Sequence, residues 1–163
     1  MLLKYSVSNF KSIGHNIDFS MFPTKPDIDE KYTKTIQTKA GTWKILKRGA
    51  FYGPNASGKS SFVESIDYAR SFVVDGTPSG KGTGLNQFKG DFEDLDGQSV
   101  FQFTFLAEDN EIYEYGFSLD GRQVYEEWLM ILTQNGFVPL FERQTDTEEK
   151  TKIEITSTFA RKN

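Results

Sequence analysis

Leu3, Tyr5 and Val7 alternate with Lys4, Ser6 and Ser8, and Ile17, Phe19 and Met21 alternate with Asp18 and Ser20. A period of two sends successive side chains to opposite faces, so two strands are predicted, joined through Lys11 to Asn16. Residues 23–40 mix two prolines with Lys, Asp and Thr and keep no period, which predicts a loop or insertion. Trp43 to Leu46 starts a strand expected to continue through Lys47-Arg48-Gly49-Ala50-Phe51-Tyr52. The period then lengthens: Phe62, Val63, Ile66, Ala69, Phe72 and Val73 recur at helical spacing, while Glu64, Asp67 and Arg70 take the other face. Asp75 to Gly90 carries five of the fourteen glycines and Pro78, and a flexible connection is expected over residues 76–99.

Period two then returns. Phe101, Phe103 and Phe105 alternate with Gln102 and Thr104, and Tyr113, Tyr115, Phe117 and Leu119 with Glu114, Gly116 and Ser118. Turn residues punctuate the pattern at Glu108-Asp109-Asn110, Asp120-Gly121 and Asn135-Gly136. Further strands are expected at Val124 to Leu132, Phe137 to Arg143 and Lys152 to Thr156, giving an antiparallel meander with one aromatic face. That face has two uses open to it, packing in the core or stacking on single-stranded nucleic acid.

A length of 163 residues suits one domain, and 15 Phe, 7 Tyr and 2 Trp provide bulky core material. No apolar run is long enough to cross a bilayer, and Met1 to Ser6 lack the apolar core of a secretion signal, so no membrane role is expected. The absence of cysteine fits a reducing compartment, and cytoplasm is the expectation. The net charge of −4 is unevenly spread: residues 1–50 hold nine Lys/Arg against four Asp/Glu, residues 91–154 four against sixteen. The acidic part repels a phosphate backbone, so DNA contact, if made, is not expected through residues 91–154. Both charge sets are also explained as solvated faces.

The chemistry lies between the predicted strand and helix. Gly53-Pro54-Asn55-Ala56-Ser57-Gly58-Lys59-Ser60 fits G-x-x-x-x-G-K-[ST] at every specified position. In such a phosphate loop the glycines allow turns that a Cβ would block, and backbone N–H groups wrap phosphates at a helix N-terminus. Lys59 is then expected to reach the β/γ-phosphates and Ser60 to put its hydroxyl on Mg²⁺. The alternative is a fortuitous Gly/Ser turn ahead of an ordinary helix.

Leu3 to Ile13, with its N-F-[KR]-[SC] element at Asn9-Phe10-Lys11-Ser12, resembles the opening strand of ABC-type ATPase heads of the branch holding SMC and Rad50 heads, RecF, OLD-family ATPases and the AAA15/AAA21-type proteins of prokaryotic defence systems. Gly53 to Ser61 is similar to the loop such proteins share. Tyr113-Glu114-Tyr115-Gly116-Phe117 and Val124-Tyr125-Glu126-Glu127-Trp128-Leu129 resemble strands of the AAA15-like group. The resemblance implies an α/β fold, the N-terminal lobe of a P-loop NTPase of ABC-ATPase type spanning residues 1–163. Its nucleotide-binding core would use residues 1–22 and 41–75 in a mixed sheet with the P-loop helix, and residues 100–157 would form an antiparallel β-meander subdomain. It also implies ATP and Mg²⁺ as cofactors, with Gly53, Asn55, Ala56, Ser57, Gly58, Lys59, Ser60 and Ser61 on phosphate and metal and Ser61 nearest the α-phosphate. Lys11 and Ser12 would approach the nucleotide, or else form a solvated turn. Glu126 and Glu127 take a structural role and His15 a surface one.

Hydrolysis in such heads needs an hhhhDE strand end, a signature segment from a partner and a switch histidine, and none is found in these residues. The nearest imitation, Phe72-Val73-Val74-Asp75, ends the P-loop helix instead of a strand. Gln87, Gln134 and Gln144 are candidates for a Mg²⁺-sensing glutamine, with no way to choose among them. The expectation is a nucleotide-binding lobe that hydrolyses ATP poorly alone and pairs, as a homodimer or with a head-to-head partner, through a further lobe, with an effector subunit or nuclease as a possible associate. A nucleotide-ordered assembly module and a small-molecule kinase remain as alternatives; a kinase would alternate strands and helices in a parallel sheet.

Overall fold

The computed structural model describes residues 1–25, 27–76, 81–90, 97–146 and 148–156. The alternating segments form strands: β1 (Leu2–Ser8), β2 (Ile17–Ser20), β5 (Ser99–Leu106), β6 (Ile112–Leu119), β7 (Val124–Thr133), β8 (Gly136–Thr145) and β9 (Thr151–Ile155). A hairpin of β3 (Thr33–Thr38) and β4 (Gly41–Leu46) precedes α1 (Lys59–Asp75), the single α-helix among the described residues. The seven strands form one sheet in the order β2-β1-β5-β6-β7-β8-β9. Every pairing is antiparallel, which corrects the mixed sheet expected from the sequence. Short turns join β5 through β8, and a short turn can only reverse the chain. The pairing of β1 with β5 carries strands of the expected core and strands of the expected meander in one continuous sheet.

Aromatic alternation sets the register. Phe101 lies opposite Phe117, Phe103 opposite Tyr115 and Phe105 opposite Tyr113, with ring centroids 5.2 Å apart in the first pair and 5.9 Å in the last. Tyr5 lies opposite Phe103 on the other flank, at 4.7 Å. Helix α1 lays Phe62, Ser65 and Ala69 on this surface, with Tyr68 and Phe72 packed alongside. Phe101 and Phe117 are completely buried beneath it, so these rings are core, not a platform for bases. Each such buried ring contributes about 1.5–3 kcal/mol. The Tyr5 hydroxyl donates to Ser65 Oγ at 2.9 Å, and Ser65 donates to the Phe62 carbonyl at 2.6 Å, which satisfies the polar atoms between sheet and helix. Burial pushes the Tyr5 phenol well above the ordinary tyrosine range, with the Ser65 bond opposing it.

The opposite face carries a second cluster. The β1–β5 register shifts between Leu2 and Lys4, a bulge that turns Leu3 away from the α1 side. Leu3 packs there with Ile36, Ile45 and Ile112, all buried, flanked by Phe22 and Trp43. Residues 23–40 are therefore not simply a loop: they contain a short 3-10 helix, Glu30–Tyr32, and β3, whose Ile36 enters this cluster. The signal that went unused was the β-branched run Thr33, Thr35, Ile36 and Thr38 ahead of the Lys39-Ala40-Gly41 turn.

Two further expectations change. The strand before the phosphate loop stops at Leu46, and residues 47–54 pair with no strand. Phe51 rests on Phe19 and Phe62, at 5.2 and 4.4 Å, while Tyr52 is 92% exposed. Gly49 passes so close to Phe19 that a Cβ would meet its ring at 2.5 Å. Apolar residues alone do not make a strand; a hydrogen-bonding neighbour does. In the connection expected to be flexible, residues 77–80 and 91–96 lie outside the described residues, but residues 81–90 are anchored. Thr83 N donates to Gly121 O at 3.2 Å, Tyr68 Oη donates to Thr83 O at 3.0 Å, and Phe88 N donates to Asn9 Oδ1 at 3.2 Å.

Candidate functional site

Helix α1 begins at Lys59 with Gly58 as its N-cap, and no side chain caps it. The first-turn N–H groups, those of Lys59, Ser60 and Ser61 among them, have no intrahelical partner by geometry, and their dipole favours an anion. The preceding loop bends through two left-handed residues, Ala56 at φ +62° and Gly58 at φ +90°. Ser57 N closes the bend onto Pro54 O at 3.3 Å. Residues 53–57 are exposed, so the cradle opens to solvent.

Lys59 folds back into the cradle. Its Nζ donates to Gly53 O at 2.8 Å and Pro54 O at 2.6 Å, with Ser57 Oγ at 3.4 Å. The ammonium thus sits over the loop, held by neutral carbonyls that give it no opposing charge. An anion arriving at the helix N-terminus would meet both the amides and a cation already beside them.

The turn after β1 forms the second wall. Asn9 and Lys11 both take left-handed backbone, at φ +53° and +50°. That places Ser12 Oγ 2.7 Å from Ser61 Oγ and Lys11 Nζ 2.7 Å from Glu64 Oε2. Lys11 N donates to Asn86 O at 2.8 Å, Asn9 Nδ2 to Gln98 O at 3.1 Å, and the Ser99 hydroxyl to Asn9 O. The turn is held from three sides against the start of α1. The turn thus brings Ser12 to Ser61, just past the phosphate loop, while the Lys11 ammonium is paired with Glu64 on α1.

The remaining candidates separate. Gln87 lies next to Asn86, which bonds Lys11, and its amide donates to Gly97 O. Gln134 sits in the β7–β8 turn and Gln144 on β8, beyond β6 in the strand order and away from β1. His15 is exposed. Glu127 accepts from Tyr115 Oη at 2.8 Å and pairs with Arg143 at 3.4 Å, on the α1 face of the sheet opposite Phe117 but out on β7 and β8, a bracing role. Burial first, then the Glu127 carboxylate, holds the Tyr115 phenol protonated well above its usual range. Among the described residues no three His, Asp or Glu side chains gather to hold a metal. The donor set fits Mg²⁺ in one way: Ser60 offers a single hydroxyl, and Mg²⁺ commonly takes one or two protein ligands plus phosphate oxygens and water.

Residues 50–154 match the family model described as "AAA domain, putative AbiEii toxin, Type IV TA system". That span covers more than half of the chain. The chain belongs to this AAA-domain family. Membership fits a P-loop NTPase fold, with the phosphate loop and α1 at the start of the matched span and the meander filling the rest. A P-loop ATPase-like function follows at that coarse level. Comparisons with curated proteins and with solved structures gave no match. No helix among the described residues is long and apolar enough to cross a membrane.

Proposed function

We propose that this chain binds Mg-ATP through Gly53, Asn55, Ala56, Ser57, Gly58, Lys59, Ser60 and Ser61, as the nucleotide-binding lobe of an ABC-type ATPase. One observation carries the proposal: an uncapped helix N-terminus with a lysine ammonium parked over the preceding loop on two carbonyls. Phosphates would take the place of those carbonyls around Nζ, and the first-turn amides would bind the same oxygens. Mg²⁺, when bound, would neutralise the β- and γ-phosphate charge, and Ser60 is the residue that would hold it. Ser61, which shares a hydrogen bond with Ser12, would make the α-phosphate contact. Lys11 would exchange Glu64 for phosphate.

Turnover needs groups that these residues do not supply, namely a carboxylate to order Mg²⁺ and another to activate water. We therefore infer binding with slow hydrolysis for this chain, and an ATPase cycle when a second lobe and a partner head provide those groups. The family description names a toxin–antitoxin system, and we infer DNA-related or phage-defence machinery as the setting of the larger machine. A nucleotide-ordered assembly module is the second reading, supported by the same open loop and the lack of a catalytic carboxylate. A wholly antiparallel sheet gives the small-molecule kinase no support.

Titration calorimetry of the chain with ATP, with and without Mg²⁺, tests the proposal, alongside phosphate release. Saturable Mg-dependent binding with little release is expected. No binding at millimolar Mg-ATP would end the nucleotide-lobe reading.

A further inference from the structure

The free edge of β9 is complementary to itself. Among the described residues β9 is the last strand of the sheet, paired with β8 alone, and each of its residues is exposed. Ile153 and Ile155 remain 57% and 53% exposed, which is unusual for two apolar residues in so short a strand. Thr156 N donates to Leu140 O, so by alternation Lys152 and Glu154 direct their backbone groups toward β8. Thr151, Ile153 and Ile155 therefore point their N–H and C=O groups outward, and no strand among the described residues receives them.

We propose that a second copy of this chain pairs with this edge, antiparallel, about a two-fold axis at Ile153. In that register Ile153 meets Ile153 of the second copy, and Thr151 meets Ile155, all as hydrogen-bonded pairs that make about six backbone bonds. Lys152 then faces Glu154 of the second copy, and Glu154 faces Lys152, in the non-hydrogen-bonded positions where side chains approach most closely. The sequence Thr151-Lys152-Ile153-Glu154-Ile155 is thus charge-matched to its own reverse. Glu154 has reason to accept a new cation. Within one chain it lies directly opposite Glu142 on β8, a like-charge pair that its own neighbour Lys152 relieves.

The alternatives on the fold are weaker. The opposite edge, β2, reads Ile17-Asp18-Phe19-Ser20, and its reverse sets Asp18 against Phe19 with no cation. The outer edge of β8 before Phe141 contains Pro139, which has no N–H to donate. A β9–β9 contact is closed by its two-fold symmetry, whereas β9 against β2 would build an open chain of subunits. β9 also lies at the other end of the sheet from β1 and the phosphate loop, so this pairing is separate from any contact made across nucleotide.

The interface is at the small end of specific contacts, so association is expected at about 10–500 µM and not at nanomolar concentration. Sedimentation equilibrium of the whole chain over that range is the test, with circular dichroism and thermal unfolding to establish that each variant folds. A reversible dimer is expected, unchanged by Mg-ATP. Lys152→Glu or Glu154→Lys alone places like charges in both cross-pairs and should weaken the dimer about tenfold or more. The double exchange, Lys152→Glu with Glu154→Lys, should recover it to within about threefold. Lys150→Glu makes the same charge change as Lys152→Glu but faces Thr156 of the second copy, and should shift association less than about twofold. A chain monomeric throughout, a dimer indifferent to Lys152→Glu and Glu154→Lys, a double exchange without recovery, or association that requires nucleotide would each overturn the pairing. Because nucleotide binding is measured separately, failure here leaves the phosphate-loop proposal standing.

Discussion

Replacing Lys59 with alanine isolates the electrostatic part of the phosphate site. With the ammonium about 4 Å from phosphate charge, the attraction is about 1 kcal/mol per unit charge pair in water and about 4 kcal/mol near a protein surface. The loop is open, with residues 53–57 exposed, so a value between these limits applies. Against it stands the loss of the two bonds that Nζ makes to Gly53 O and Pro54 O, at 2.8 and 2.6 Å, although those carbonyls regain water when released. A net loss of about 2 kcal/mol is expected, which weakens Mg-ATP binding about 30-fold. The fold should hardly notice, because Lys59 contributes to neither hydrophobic cluster. Calorimetry or a fluorescent ATP analogue gives the affinity, and thermal unfolding gives the stability. Equal affinity in Lys59→Ala and the parent chain, with both folded, would refute the idea that this ammonium meets phosphate.

Other outcomes follow from the same geometry. Gly58→Ala puts a side chain at φ +90° with its Cβ 3.5 Å from Ser12 Oγ, and should cost about 1–2 kcal/mol of stability by urea unfolding as well as weakening nucleotide binding. Gly116→Ala drives a Cβ to 2.2 Å from the Trp128 ring and should destabilise by about 1–3 kcal/mol, leaving nucleotide affinity per folded molecule unchanged. The Ser6 hydroxyl first, with Asn16 and Lys4 adding to it, holds the Asp18 carboxyl below the usual aspartate range against the opposing effect of desolvation. A depressed folded value means that its stabilisation is present above about pH 4 and is lost as pH falls through the folded value. Since the Asp18 side chain is 49% exposed, screening should keep this below about 1 kcal/mol. Asp18→Asn should accordingly narrow the stability difference between pH 7 and pH 3, and an unchanged difference would count against the Asp18 contacts.

How much of this was legible beforehand varies with the range of the interaction that decides each element. The meander was readable because Phe101, Phe103 and Phe105, and Tyr113, Tyr115 and Phe117, carry their register in their own alternation. Helix α1 and the phosphate loop were readable for the same reason, since spacing and glycine placement are local. β3 escaped because its residues include only one fully apolar side chain, Ile36, and its strand character depends on pairing with β4. The segment 47–52 failed in the other direction: it has strand-like residues but no neighbour to bond.

By itself, then, the sequence determined the phosphate loop, the helix that follows it and the aromatic strands, because backbone conformation and side-chain period are written residue by residue. Only the tertiary structure decided that β1 joins β5 across some ninety intervening residues, that a bulge sends Leu3 to the hairpin side, and that the left-handed turn at Asn9 and Lys11 delivers Ser12 to Ser61. Those outcomes depend on which surfaces can be buried together. That is a property of the whole chain's packing, and no local window of residues contains it.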